Sequence, residues 1–269
     1  MADFAFLDSG TGGIPYLTYL LQKYKGADCV YVGDTKNFPY GEKSHEEIVK
    51  CVLEIAKKII EKFNPKVFII ACNTMSVNTL DVLREAFPET HFVGTVPAIK
   101  VASEVSKKRT VGLLATRSTV EHPYNIDLRN HFASDCRLIL RADPDLISFI
   151  EKKSFTATKE ECKAAVLPAV KYFAGGGSDT MILGCTHFLN LADLIQEVAD
   201  EVTGGELKVI DSREGVVNRA MSVFKSCGGI SSDGNKKAKL FITGLAEEKD
   251  KDEYDVICEK FGLEWGGVI

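Results

Sequence analysis

The sequence predicts an α/β fold of two pseudo-symmetric α/β domains with mostly parallel sheets, and three observations predict it. Short apolar, β-branched runs alternate with helix-length amphipathic segments, the βαβ signature of a parallel sheet. Two of those runs end alike, VFIIACNT at residues 67–74 and TMILGCTH at residues 180–187, each delivering one cysteine from a strand tip. The pattern also restarts after Pro97, so that FAFLDSG and VFIIACNT echo TVGLLAT and TMILGCTH. Ligands of such sheets bind beyond the carboxyl ends of the strands. Two related halves facing each other would set Cys72 and Cys185 across one cleft, and that cleft is the expected active site. The expected domains are residues 1–97 together with 209–269, and residues 98–208.

Taken in order, residues 3–7 form a short strand that ends in Asp8-Ser9-Gly10-Thr11-Gly12-Gly13, before Ile14-Pro15 opens a helix through Lys23. A glycine-rich turn there aims backbone amides at whatever anion lies above the sheet. It is neither a GxGxxG nor a Walker loop, so it is no nucleotide signature by itself. Asp8 is either a helix N-cap or a functional acid or base. CVYVG at residues 29–33 is the next strand, followed by a long loop through Phe38-Pro39-Tyr40-Gly41 of the kind that is often functional. Ser44 and Glu47 have the spacing of a capping box for a helix to about Phe63. After VFIIACNT come a helix from about Ser76 to Ala86 and a strand HFVGTV ending at Pro97.

In the second half a helix near residues 98–105 leads to the basic run 107–109, a solvated helix end. Strand TVGLLA stops at Thr116-Arg117-Ser118-Thr119, a helix begins near His122, and strand RLILRA precedes the helix ISFIEKK with Glu151. Residues 158–173 read as a long amphipathic helix, and Gly175-Gly176-Gly177 as a turn before TMILGCTH. The remainder is strand LKVID, a helix over residues 213–226, a polar loop, strand AKLFIT, a charged turn at 247–253 and a closing helix YDVICEKF. This tail is expected to return to the first half.

Composition narrows the class. The 269-residue chain is 45% hydrophobic and 26% charged, ordinary for a globular protein. A net charge of −5 argues against nucleic acid or an anionic membrane as partner, because phosphate binding needs a basic field. With no basic-then-apolar leader before Phe4 and no apolar run near the roughly 18 residues that span a bilayer, a cytoplasmic protein is expected. Eight cysteines, at 29, 51, 72, 136, 162, 185, 227 and 258, include no CxxC pair. A zinc ribbon and a dithiol motif therefore lack their spacing, and a disulfide framework is not expected in a chain without an export signal.

A strand-end thiol has several uses. As a nucleophile, Cys185 would have His187 two residues away as base, but Cys72 would be idle. A phosphatase loop wants an arginine soon after its cysteine, and neither CNTMSVN nor CTHFLNL has one. Metal binding would have only His187 and the acids to add. Proton transfer at carbon employs both: one thiolate removes a proton while the opposite thiol supplies one. A free thiol titrates near pH ~8.5, and a helix N-terminus lowers that. Asp8 could tune or relay the proton of Cys72, and His187 that of Cys185.

DSGTGG, GDTKNFPYG, ACNT, GTVPAIK, LATRST and GCTH, in this order, resemble the cofactor-independent glutamate racemases of the aspartate/glutamate racemase superfamily, from Phe4 to about Ala220. The resemblance implies a two-base mechanism with neither cofactor nor metal, glutamate as the small-molecule substrate, D-glutamate for peptidoglycan, and a homodimer. Cys72 then matches the base for D-glutamate and Cys185 the base for L-glutamate. Asp8 matches the acid beside the first thiol, and Glu151 and His187 those beside the second. Ser9, Tyr40, Gly41, Asn73, Thr74, Thr116, Thr119 and Thr186 match positions that hold the substrate's carboxylates and ammonium. Asp143 and Ser148 stand where the family commonly has cysteine and proline, and Ser118 where it often has glycine. The competing readings are a racemase of aspartate or another acidic amino acid, and a non-catalytic binder of an anionic metabolite.

Overall fold

The computed structural model of the chain describes residues 1–229, 237–245 and 250–269. It forms two compact units, Met1–Thr95 with Arg213–Ile269, and Val96–Ser212.

The first unit begins β1 (Phe4–Asp8), α1 (Ile14–Lys23) and β2 (Cys29–Gly33). Two short 3-10 turns, Thr35–Asn37 and Tyr40–Glu42, lead to α2 (His45–Phe63). The capping box is present: Ser44 Oγ accepts from the Glu47 amide at 3.3 Å, and the Glu47 carboxylate from the Ser44 amide at 2.9 Å. Ile48, Val52, Ile55, Ala56 and Ile59 make the buried stripe of this helix, and Asn64, at φ 42°, ends it. Then follow β3 (Val67–Ile70), α3 (Asn73–Ala86) and β4 (His91–Gly94). The helix predicted from Ser76 starts at Asn73, because Cys72 is already its extended N-cap. Along β3 the alternation of a strand sends Phe68 and Ile70 into the cluster packed under α2, and Cys72, in the same parity, follows them.

The second unit holds α4 (Ile99–Val105), β5 (Thr110–Ala115), α5 (Arg117–Glu121), α6 (Tyr124–Phe132), β6 (Arg137–Ala142), α7 (Pro144–Lys153), α8 (Lys159–Gly175), β7 (Thr180–Leu183), α9 (Ala192–Thr203) and β8 (Lys208–Ile210). The helix predicted near His122 is α6, and a short helix the sequence reading did not give, α5, precedes it, ending before Pro123, which cannot supply the amide that would continue it. A second capping box, Thr158 with Glu161, opens α8. Gly112 lets α8 lie close on β5: a Cβ there would stand 2.4 Å from the Phe173 ring. Asp179, just before β7, accepts from Ser106 Oγ and from the Lys107 and Lys108 amides, each at 2.6 Å. It thereby pins the turn ahead of β5.

Strand LKVID, expected to begin the return to the first half, instead pairs with β7 as β8, and the chain re-enters the first unit through α10 (Arg213–Ser226), whose Phe224 ring lies tilted 4.8 Å from Phe4. β9 (Lys239–Ile242), α11 (Asp250–Phe261) and β10 (Glu264–Val268) complete it. Residues 230–236 of the polar loop and 246–249 around the charged turn lie outside the described residues. Residues 250–253 are helical, and β10 is a strand the sequence pattern did not disclose, because its Gly-Gly breaks the apolar run.

All described strand pairings are parallel. The first sheet runs β10-β9-β2-β1-β3-β4 and the second β6-β5-β7-β8. Leaving out β9 and β10, the two orders are the same plan twice: the first-made strand sits centrally, the second and third on either side, the fourth beyond the third. One bond repeats at the same place, Ala71 N to Leu7 O and Gly184 N to Leu114 O, both 2.7 Å.

Candidate active site

Each sheet has a topological switch point where the strand order reverses beside its first-made strand, and in such sheets ligands bind in the crevice above the carboxyl ends there. In the first unit the switch lies between β1 and β3, paired in register through Leu7 and Ile70. Asp8 and Ser9 therefore stand level with Ala71 and Cys72. Asp8 is fully buried, and its carboxylate accepts from the Gly10 amide at 2.8 Å and lies 3.5 Å from Ser9 Oγ. Cys72 Sγ stands 3.8 Å from the same Ser9 hydroxyl. The glycine-rich turn is shaped by Tyr31, whose hydroxyl accepts from Gly13 N at 3.0 Å and donates to Gly10 O at 2.9 Å. A Cβ on Gly13 would lie 2.8 Å from the Ala71 carbonyl, so glycine serves close approach of the turn to β3.

Asn73 and Thr74, the first residues of α3, are each 2% exposed. Both amide atoms of Asn73 are buried without a hydrogen-bond partner among the described residues. Such a group costs about 1–3 kcal/mol unless something meets it, so it marks a place that expects a ligand or water. Tyr40 is buried in the cluster that holds Cys72, with its hydroxyl on Asp34, and Gly41 beside it is half-buried.

In the second unit the switch lies between β5 and β7, in register through Leu114 and Leu183. Cys185 is the extended residue before a 3-10 turn, Thr186–Leu191, and it faces His187 Nδ1 at 3.6 Å. The other ring nitrogen, Nε2, meets Glu151 Oε2 at 2.9 Å. Glu151 comes from α7, which Asp143 caps by accepting from the Leu146 amide while Arg141 holds its carboxylate at 2.8 Å. The departure at Asp143 thus leaves the helix start intact. His187 is 1% exposed. Burial alone would lower its pKa, but the Cys185 sulfur and the Glu151 carboxylate outweigh burial and raise it well above the ordinary histidine value. The ring thus bridges the Cys185 sulfur and the Glu151 carboxylate, one partner on each nitrogen.

Thr116 and Thr119 sit at the tip of β5. Thr116 Oγ1 accepts from the Thr119 amide at 3.1 Å and lies 3.0 Å from the Thr119 hydroxyl. Asn125 supports this turn from α6, donating to the Thr119 carbonyl. Thr186 is buried beside Cys185. The named residues therefore gather into two groups: Asp8, Ser9, Tyr40, Gly41, Cys72, Asn73 and Thr74 in one unit, and Thr116, Thr119, Glu151, Cys185, Thr186 and His187 in the other.

The Asp/Glu/Hydantoin racemase family matches residues 17–220. A glutamate racemase of Treponema pallidum is 36% identical over 266 residues, covering 99% of this chain and 96% of the relative. One from Actinobacillus pleuropneumoniae is 34% identical over 258 residues, 95% of this chain and 93% of the relative. Among solved structures, Escherichia coli glutamate racemase in complex with L-glutamate and the activator UDP-MurNAc-Ala superposes with a TM-score of 0.83 at 27% identity, covering 100% of this chain and 98% of that one. The chain belongs to the Asp/Glu/hydantoin racemase family.

In this racemase-family chain, sequence reasoning passed over Asp34 and Thr243. Asp34 follows strand CVYVG as Asp8 ends strand FAFLD, so the rule that singled out one strand-tip carboxylate reaches the other as well. Thr243 gave no such signal, since only the fold brings β9 beside β2. Among the described residues no group of three or more His, Cys, Asp or Glu side chains is placed to hold a metal ion. No helix among them is long and apolar enough to cross a membrane.

Proposed function

We propose that this protein interconverts L-glutamate and D-glutamate without a cofactor, by proton transfer between two thiols and the α-carbon. One observation carries the reading: the line Cys185, His187, Glu151 at one strand tip, matched by a strand-tip thiol, Cys72, at the equivalent switch. In this mechanism the Cys185 thiolate takes the α-proton of L-glutamate. The C–H bond breaks, an S–H bond forms, and the electron pair spreads into the α-carboxylate. The Cys72 thiol then gives its proton to the opposite face and is left as thiolate. From D-glutamate the roles exchange.

His187, charged against Glu151, stabilises the Cys185 thiolate, while Asp8 and Ser9 flank the proton on Cys72. The unmet amide of Asn73, with Thr74, the turn at Tyr40 and Gly41, and the hydroxyls of Thr116, Thr119 and Thr186, supplies donors and acceptors for two carboxylates and an ammonium. The same reading makes the protein a cytoplasmic homodimer that supplies D-glutamate for peptidoglycan. Light scattering in solution tests the dimer.

The deciding experiment is incubation with L- or D-glutamate in heavy water, following optical rotation and the α-hydrogen signal together. Racemisation with deuterium entering Cα is expected, and it survives dialysis against a chelator without added pyridoxal phosphate. Binding without exchange would make the protein a binder, and faster exchange on aspartate would reassign the substrate.

A further inference from the structure

The carboxylate at the tip of β2 is tied to a residue near the far end of the chain. Asp34 is fully buried. Its Oδ1 accepts from Thr243 Oγ1 at 2.6 Å, both its oxygens lie within reach of Asn37 Nδ2 at 3.1 and 3.0 Å, and its Oδ2 takes the Tyr40 hydroxyl. Thr243 works in two directions, since the hydroxyl that donates to Asp34 also accepts from the Lys36 amide at 3.0 Å. Thr35 Oγ1 donates to the Gly244 carbonyl at 2.6 Å, and the Thr243 amide to the Gly33 carbonyl at 3.1 Å. At its other side the Asp34 amide donates to the Asp8 carbonyl at 2.8 Å. An unbroken hydrogen-bonded path thus runs from the end of β9 through Asp34 to Tyr40, which packs in the buried cluster with Cys72.

A buried carboxylate is costly unless its lone pairs are met. Here Thr243, Asn37 and Tyr40 meet them, and each is thereby held in place. Burial first, and the Asp34 charge second, push the Tyr40 phenol well above its ordinary pKa, so it stays protonated and keeps its hydrogen on Asp34. That hydrogen is committed. What the Tyr40–Glu42 turn can offer a ligand is its backbone and its position.

We propose that Asp34 and Thr243 are positioning residues of the Cys72 half of the reaction, holding the turn at Tyr40 and Gly41 in the conformation that receives glutamate. The inference rests on the glutamate-racemase reading. It assigns the end of β9 a part in substrate binding, although that strand is far from Cys72 in sequence and contributes no thiol or acid to the chemistry. Threonine suits the place because its hydroxyl both donates and accepts. Valine has the same outline but would remove the 2.6 Å bond to Asp34, leaving its Oδ1 only Asn37, and would take away the acceptor of the Lys36 amide.

The test compares full-length wild type with Thr243→Val, Thr243→Ser and Tyr40→Phe. The measurements are KM and kcat for D-glutamate, and hydrogen exchange of the amides at residues 35–42. Thr243→Val is expected to raise KM about tenfold with kcat changed less than about threefold, as for a loss of ground-state and transition-state binding alike. Exchange at 35–42 rises by about tenfold in the same variant. Thr243→Ser recovers both, and Tyr40→Phe, cutting the path at its other end, repeats the valine pattern. A valine variant with a lowered melting temperature but wild-type KM and unchanged exchange would reduce Thr243 to a structural residue and overturn the proposal. Wild-type protein inert toward glutamate would instead sink the functional reading, while the exchange comparison still decides whether Thr243 orders the turn.

Discussion

The two sheets repeat one strand plan, and a central strand of each ends in a thiol, but the neighbouring strand tips diverge. From β2 the chain passes into short turns whose Tyr40 is anchored by Asp34, whereas from β6 it passes into α7, which brings Glu151 onto His187. The first thiol consequently stands near a hydroxyl, Ser9, and an unmet amide, Asn73. The second stands against a buried, protonated ring. A repeated scaffold places the sulfur; the side chains around each tip give the two sulfurs different neighbours.

The largest effect expected is at the sulfurs. Cys72→Ser and Cys185→Ser should each lower racemisation by about 10³-fold or more with circular dichroism unchanged, since each removes one of two acid–base groups. Substantial turnover by either variant would break the pairing of the two tips. Next comes the asymmetry. His187→Asn should cost about 10²-fold in racemisation, yet solvent deuterium should still enter D-glutamate through Cys72. Equal loss of exchange from both enantiomers would show that His187 serves both thiols. Glu151→Gln removes a group that raises the His187 pKa, so the limb of the pH–rate profile set by that ring should move to lower pH.

The same ring carries a stability signature. A histidine whose folded pKa is raised stabilises the fold fully below its unfolded value of 6.5, and that contribution is lost as pH rises through the folded pKa. Urea denaturation against pH should show this decline in wild type and its absence in His187→Asn.

Asp179 belongs to the second unit alone. Burial would raise its pKa, but bonds from the Lys108 amide, Ser106 hydroxyl and Lys107 amide win and lower it below 3.8. Its stabilisation is therefore present above pH 3.8 and lost as pH falls through the folded pKa. Asp179→Asn should cost about 1.5–3 kcal/mol at neutral pH by urea denaturation. Smallest are the two capping boxes, which occupy matching helices. Ser44→Ala and Thr158→Ala should each cost about 1 kcal/mol, and a clear inequality would show that the two helices do not bear equal load.

Much of this was legible because it depends on local rules. The apolar runs 67–70, 110–115 and 180–183 are strands to the residue, since buried parallel strands need unbroken hydrophobicity. The Ser44 box could be read from two residues. Both cysteines, Asp8 and His187 were visible as polar groups at strand tips. What stayed hidden depends on distance in sequence. Glu151 was named by resemblance alone, since by local pattern it looks like any helix-surface glutamate until α7 sets it on His187. Thr243 has no local oddity at all, and β10, with its two glycines, lacks the pattern of a strand.

The route of the first sheet carries a consequence for biosynthesis. The outer edge of β2 has no neighbour until Lys239–Ile242 has left the ribosome, although β1, β2 and β3 are all made early. The second unit, whose strands all lie between Thr110 and Ile210, has its complete set sooner despite starting later. Its own open edge, β6, is guarded by Arg137 and Arg141 against stray pairing, while the unfinished edge VYV at residues 30–32 has no charge of its own. A nascent chain arrested before β9 therefore exposes an uncharged strand, which makes late truncations more aggregation-prone than loss of a terminal strand alone would suggest.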